Sequence, residues 1–260
     1  MTGNTRPFII VADPVHHLRT PEVFNDYLAR SAFDGVLIPA NVPAEGLAAF
    51  VDGVKQMRNL AGLIITVPHK VAIVPFCDEL SPTARRVGSV NTIRVVAGRL
   101  IGENFDGVGF VKGLLLQGYD VSGRSALLLG SGGAARAIAF ALADAGVRRL
   151  IISNRNIEKA RELAASVDSV QYIEVHAAAN PDTDSVDLIV NATSLGLLPD
   201  DPLPLDQRQI HANHMVAEVV MSPEVTKLLL VAKDRGASIH LGRHMLDAQI
   251  VEIGNYLTAV

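Results

Sequence analysis

The chain of 260 residues has a single cysteine, Cys77. That excludes an intramolecular disulfide and a cysteine-based zinc site. With no activating motif around it, Cys77 reads as a small buried hydrophobe. No run of about 18 apolar residues occurs, so no membrane span is expected. The first stretch, MTGNTRPFIIVADPVHH, reaches Asp13 after only five clearly apolar positions. That is too few for the apolar region of a secretory signal, and the expectation is a soluble, cytoplasmic protein. Neither sign of charge is in strong excess: 23 Lys and Arg face 27 Asp and Glu, a net charge of −4. Nothing in that balance calls for nucleic acid or an anionic membrane as a partner. The eight histidines are scattered. His16 and His17 are adjacent, and His240 and His244 lie four apart, but no cluster has metal-ligand spacing and no metal is expected. Internal repeats and low-complexity linkers are also absent. What remains is 49% apolar and 19% charged, enough for a sizeable core in one large or two modest domains.

Short β-rich runs alternate with helical patterns through both halves. FIIV (8–11), DGVLIPANV (34–42) and GLIITVP (62–68) read as strands apolar throughout, as in a sheet covered on both faces. Between them Val23, Phe24, Tyr27 and Leu28 recur at helical spacing behind Pro21, and Leu47, Phe50, Val51, Val54 and Met57 do the same. This βαβαβ pattern predicts mainly parallel strands. TIRVVAGRLIG (92–102) differs, with two short runs flanking Ala97-Gly98-Arg99, and predicts a hairpin at the sheet edge. A helical connector is expected near Asp106 to Gln117. The second half restarts with strand, Gly-rich turn and helix at 124–144. RRLIISN (148–154), VDLIVNA (186–192) and MVAEVV (215–220) follow as strands, with a helix in IEKARELAAS and another from His244 to Leu257. The fold class expected is α/β, with two units meeting at a cleft.

GSGGAARA (130–137) lies between a strand and a helix. Such a turn suits a diphosphate, because glycines let backbone amides approach the phosphates and the helix start supplies unpaired donors and a positive dipole. Gly130, Gly132 and Gly133 stand where that turn belongs, and Ala134 and Ala135 let the helix pack closely. A glycine-rich corner without a ligand is the competing reading. The next strand ends Ser153-Asn154-Arg155-Asn156, with no carboxylate before Glu158. An NAD site usually carries an acid there for the ribose 2′-OH. An arginine instead pairs with a 2′-phosphate and stacks on adenine. NADP is therefore the expected cofactor, the alternative being a solvated arginine after a strand.

With these elements placed, the chain resembles the shikimate dehydrogenase family. The resemblance is carried by PVHHLRTP (14–21), ITVPHK (65–70), GSVNT (88–92), ENFDGVG (103–109), LGSGGAARA (129–137), SNRN (153–156), NATSLGL (191–197) and GRHMLDAQ (242–249), in the family's order and at its approximate spacing. It implies a discontinuous substrate domain, 1–105 plus 240–260, and a Rossmann-type NADP domain, 106–239. It implies further that Lys70 and Asp106 are the catalytic pair, exchanging the hydroxyl proton while hydride passes to nicotinamide. Asn91 and Gln249 match the family's amides on ring hydroxyls, and Thr66 supplies a further hydroxyl. Gly130, Ser131, Gly132, Gly133, Ala134, Asn154 and Arg155 take the cofactor's phosphates and adenosine. Asn191, Ala192 and Thr193 line the nicotinamide ribose, with Gly242 and Met245 near the nicotinamide. The partner implied is a small cyclic hydroxy acid, and the assembly a monomer or homodimer.

The departures gather in the substrate pocket. The family's Ser-x-Ser-Pro, which meets the substrate carboxylate, is Leu18-Arg19-Thr20-Pro21, so Thr20 keeps one hydroxyl and Leu18 replaces the other. Ile64, Phe105 and Met221 stand where the family has asparagine, threonine and tyrosine. Each change exchanges a polar group for an apolar one. Three readings follow: oxidation of shikimate or quinate with Arg19 or His17 compensating, oxidation of another cyclic alcohol, or a regulatory module that binds without useful turnover. Retention of Lys70 favours an enzyme.

Overall fold

The computed structural model describes residues 1–168 and 173–259. The chain divides into two compact units, Met1–Asp106 together with the segment from Asp247 onward, and Gly107–Leu246. No helix among the described residues is long and apolar enough to cross a membrane.

The first unit contains β1 (Arg6–Ala12), α1 (Thr20–Ser31), β2 (Gly35–Asn41), α2 (Leu47–Val54), β3 (Gly62–Ile65), β4 (Glu79–Leu80), α3 (Pro82–Val87), β5 (Thr92–Val96) and β6 (Arg99–Glu103). Its sheet runs in the order β2-β1-β3-β5-β6-β4. The pairs β1–β2 and β1–β3 are parallel, while β5 is antiparallel to β3 and β6. Val11, Leu63, Ile65 and Ile93 from the strands pack with Leu47, Val51 and Val54 of α2 in one core. Spacings of four and three put these α2 residues on one face. On α1, Phe24 and Leu28 are buried, and the Phe24 ring meets Phe8 edge-on at 5.4 Å.

Two expectations change here. β2 is an edge strand with Ile38 and Pro39 exposed, not a strand covered on both faces. An open edge invites strand addition. Asn25 of α1 closes part of it, accepting from the Leu37 amide at 2.8 Å and donating to the Leu37 carbonyl at 3.0 Å. The β5–β6 hairpin is present, but the two-residue β4 pairs with β6 and takes the edge position.

The second unit contains most of α4 (Asp106–Leu116), then β7 (Ser125–Leu129), α5 (Gly133–Asp144), β8 (Arg149–Ser153), α6 (Ile157–Asp168), β9 (Glu174–Ala177), β10 (Leu188–Asn191), β11 (Met215–Glu218), α7 (Lys227–Asp234), β12 (Ser238–His240) and the start of α8 (Gly242–Thr258). Every pairing in its sheet is parallel, in the order β9-β8-β7-β10-β11-β12. Numbered within the unit this is 3-2-1-4-5-6, the dinucleotide-binding order, whose switch point falls between β7 and β10. β7, Ser125-Ala126-Leu127-Leu128-Leu129, is buried along its whole length, as a central parallel strand covered on both faces requires.

The hairpin turn is Ala97-Gly98, with φ of 50° and 78°. Such a two-residue turn matches the strands' twist, but alanine's Cβ makes the left-handed region costly. Ala97→Asn is expected to raise stability by about 0.5–1 kcal/mol in urea unfolding. A loss of stability would show that the side chain, not the backbone angle, governs this turn.

Candidate functional site

In the first unit the loops after β1 and β3 leave the carboxyl ends of parallel strands, where ligands bind in open α/β sheets. Backbone bonds tie them together. The Asp13 amide donates to the Val67 carbonyl at 3.1 Å, and the Thr66 amide to the Val11 carbonyl at 3.0 Å. Lys70 ends the second loop. Its carbonyl accepts from the Val90 amide, and the neighbouring His69, buried, has its Nε2 2.7 Å from the Val42 carbonyl.

These ties bring Lys70 to Asp106, with Nζ 2.5 Å from Oδ2 and side-chain exposures of 12% and 2%. The other carboxylate oxygen, Oδ1, accepts from Asn91 Nδ2 at 2.9 Å, and the same amide donates to Gln249 Oε1 at 3.3 Å. Asn91 Oδ1 in turn accepts from the Phe105 amide at 3.0 Å and the Thr92 hydroxyl at 2.9 Å. Asn104 accepts from the Asp106 amide and donates to Ser89, which fixes the start of α4. Asp106 is thus a buried carboxylate with both oxygens occupied, one by a cation. A lysine ammonium has three donors, so Lys70 can serve a ligand oxygen while keeping Asp106. Gln249 Nε2 has no protein acceptor among the described residues.

Thr20 is buried at the first turn of α1, and Thr66 and Leu18 are half-buried on the two loops. Among the described residues no hydrogen bond joins them to the Lys70 group. Two of the departures prove to be packing positions. Ile64 is buried in β3, and the Phe105 ring meets Tyr256 at 5.6 Å while its amide holds Asn91.

In the second unit the turn after β7 lies at the switch point. Gly130 has φ +111°, and a Cβ there would stand 2.8 Å from the Ala192 carbonyl oxygen. Only glycine allows this approach of the two loops. α5 begins at Gly133 without a side-chain cap, and the space a Cβ would enter at Gly132 is open. Gly132 therefore leaves open space at a helix start, between Ser131 and Ala134, which fits a diphosphate. Asn154 donates to the Asn156 carbonyl at 2.9 Å, and Asn156 accepts from the Glu158 amide at the start of α6. Arg155 is exposed and has no carboxylate partner among the described residues.

Asn191 and Met245 are placed differently from the cofactor-facing roles the resemblance implied. The Asn191 amide is consumed internally by Glu218, at 2.9 and 3.0 Å, and by the Leu195 carbonyl at 2.9 Å. Its oxygen accepts from the Thr193 amide and hydroxyl. Met245 is enclosed, at 3% exposure. Neither side chain is open to a ligand. Gly242 starts α8 flush against the Val220 carbonyl, into which a Cβ would run.

Glu218 escaped the sequence reading. It is the last residue of β11, directly opposite Asn191 and fully buried. Burial pushes its carboxyl up to about 7, against the pull of its hydrogen bonds. The one signal was an acid inside the apolar run MVAEVV. Cys77 is half-buried and not fully enclosed as expected, and burial pushes its thiol up to about 11. His240 and His244 meet edge-on at 4.7 Å. Among the described residues no group of three or more His, Cys, Asp or Glu is arranged to hold a metal.

A family model for the shikimate dehydrogenase substrate binding domain matches residues 10–93, and one for shikimate / quinate 5-dehydrogenase matches residues 115–197. The shikimate dehydrogenase (NADP(+)) of Bacillus cereus strain B4264 is 37% identical over 244 residues, 92% of this chain and 88% of that protein. The crystal structure of shikimate dehydrogenase from Aquifex aeolicus aligns with a TM-score of 0.91 at 31% identity, covering 100% of this chain and 95% of that one. The shikimate 5-dehydrogenase of Thermus thermophilus, solved with NADP(H) and shikimate, aligns with a TM-score of 0.88 at 31% identity over 98% and 94% of the two chains.

Removing one member of a buried ion pair leaves the other charge uncompensated. Asp106→Ala is expected to lower unfolding stability by about 3–5 kcal/mol, and the double change Lys70→Met with Asp106→Ala by clearly less. Equal losses in urea melts of the two variants would mean that the pair is not electrostatically coupled.

Proposed function

The chain belongs to the shikimate dehydrogenase family, and from that premise we infer that it is an NADP-dependent oxidoreductase interconverting shikimate and 3-dehydroshikimate. The observation that carries the reading is the buried group of Lys70, Asp106, Asn91 and Gln249, assembled by 2.5–3.3 Å contacts at the carboxyl end of the first sheet. It offers an ammonium, a carboxylate and two amides to a polar ring and keeps them in fixed positions.

Bound NADP⁺ supplies the hydride acceptor for oxidation of the ring hydroxyl. Lys70 exchanges the proton that this hydroxyl loses, as general base in oxidation and general acid in reduction. Asp106 holds the lysine Nζ in place. Asn91, anchored by Phe105 and Thr92 through its oxygen, orients Asp106. Gln249, whose Nε2 has no acceptor among the described residues, hydrogen-bonds a ring hydroxyl, and Thr20 and Thr66 complete the polar lining. Leu18 lies on the same loop and leaves Thr20 as the hydroxyl beside the substrate carboxylate. In the second unit the turn after β7 holds the diphosphate at the start of α5, with the Gly130 amide kept inside on the Ser153 carbonyl at 2.7 Å. Arg155 pairs with the 2′-phosphate, a role suited to an exposed guanidinium without a carboxylate partner. Asn191 acts on the cofactor by fixing the loop that carries Ala192 and Thr193.

Initial rates with shikimate and quinate, each against NADP⁺ and NAD⁺, test the reading. Saturable turnover of shikimate with a preference for NADP⁺ is expected, and absence of turnover with both acids would overturn it. Arg155→Ala is expected to raise KM for NADP⁺ by about tenfold or more, the loss of a charge-assisted phosphate contact, with little change for NAD⁺. An equal effect on both cofactors would remove the 2′-phosphate from the role of Arg155.

A further inference from the structure

At the carboxyl edge of the second sheet, four donors converge on one buried side chain. Glu218 Oε1 accepts from the Val219 amide at 3.0 Å, the Val220 amide at 3.2 Å and Asn191 Nδ2 at 2.9 Å. Oε2 accepts from Asn191 Nδ2 at 3.0 Å and the Thr226 hydroxyl at 3.0 Å. Each partner begins or ends a segment at the switch point. Asn191 closes the 191–196 loop through Thr193 and Leu195. Thr226 caps α7, its hydroxyl oxygen accepting from the Leu229 amide. The Val220 carbonyl is the surface against which Gly242 and the start of α8 lie. The far side of the 191–196 loop is where Ala192 meets Gly130.

We infer that Glu218 is a positioning residue for the cofactor: its carboxylate gathers Asn191, the 219–220 amides and Thr226, and so holds the Ala192–Thr193 loop in register with the Gly130 turn. This rests on the reading that the Gly130 turn and the Ala192–Thr193 loop receive NADP. The donor inventory requires the ionised form. An amide N–H and the side-chain NH2 cannot accept, so a proton on Glu218 has only the Thr226 oxygen to turn to, and Asn191 loses part of its anchor. No cation among the described residues is hydrogen-bonded to Glu218; Arg243 of α8 is paired with Glu224, and burial lowers His240 of β12 to about 4. On the elements around it, Asp201 is engaged with the Gly196 and Leu198 amides, and Lys227 is exposed. A fully buried carboxylate without a cation is costly, so its presence points to a task other than stability.

The test is NADP⁺ dissociation constants for the wild-type protein and Glu218→Gln, measured by calorimetry at pH 8.5 and pH 5.5. The 2′-phosphate titrates identically in both experiments, so the ratio of the two constants isolates Glu218. Above its raised value of about 7 the wild-type side chain is ionised, and well below it the side chain is neutral, as glutamine is. The expected ratio is about tenfold at pH 8.5, the loss of one charged hydrogen-bond anchor, and below about threefold at pH 5.5. The melting temperature of the ligand-free variant should stay within a few degrees of wild type, since the amide removes a buried charge. A ratio within twofold at pH 8.5, or one that does not change with pH, would overturn the inference, as would a loss of binding matched by a large fall in melting temperature. Glu218→Asp keeps the charge and keeps the test readable if the glutamine variant does not fold. It is expected within threefold of wild type at both pH values, and a tenfold loss at pH 8.5 would count against charge as the anchor. Failure of the wild-type protein to bind NADP⁺ would instead remove the cofactor reading itself.

Discussion

The buried Lys70–Asp106 ion pair is the contact on which the chemistry proposed for the first unit depends. Two charges withdrawn from water are tolerated only when their remaining donors and acceptors are occupied. The surrounding residues do this for the carboxylate, whose second oxygen is taken by Asn91, while the Lys70 ammonium keeps donors for a ligand. The sheet exists at this edge in a form that serves the pair. β3 delivers Lys70 from its end, the β5–β6 hairpin brings Asn91 before it and Asp106 after it, and α8 returns Gln249 from far along the chain. The result is a rigid polar group with unused donors, which is the arrangement a hydroxyl-bearing ring needs.

The second unit follows the same logic with the opposite sign. Its edge carries a turn that suits an anion, and one strand beyond Asn191 the buried Glu218 is a carboxylate without a hydrogen-bonded cation among the described residues. Glu218 does not face the phosphates. It acts through Asn191, and the loop that Asn191 closes is pressed to within contact of Gly130. Both units therefore place a buried acid behind the residues proposed to meet a ligand, one paired with lysine and one held by neutral donors.

Much of this was legible in the sequence, for identifiable reasons. The long periodic runs of both halves announced the α/β alternation, and the strand–glycine–helix order announced the cradle at 130–134, because such signals are local. Lys70 and Asp106 were found through motifs, not through spacing, since 36 residues separate them and their contact is tertiary. What escaped was set by pairing between distant strands. β2 reads as covered on both faces because its composition is apolar, while its place at the edge is decided by which strands pair. The strands β4, β9 and β12 have two, four and three residues, too few for a period to show. Asn191 read as a ligand to the cofactor because the motif NATSLGL places it on the loop. Only the register that sets Asn191 beside Glu218 reveals that its amide is used inside. The apolar departures divide in the same way: Ile64 and Phe105 resolve into core packing, and Leu18 remains beside the proposed substrate.

The measurement that reaches the central claim most directly is single-turnover oxidation of shikimate by NADP⁺ in Lys70→Ala, with NADP⁺ affinity measured on the same sample. The account predicts that turnover falls by at least about two orders of magnitude, the usual span for a positioned acid–base group, while NADP⁺ binds as in wild type. Turnover at the wild-type rate would contradict it, because the Lys70–Asp106 pair would then be a structural ion pair with no part in moving the proton.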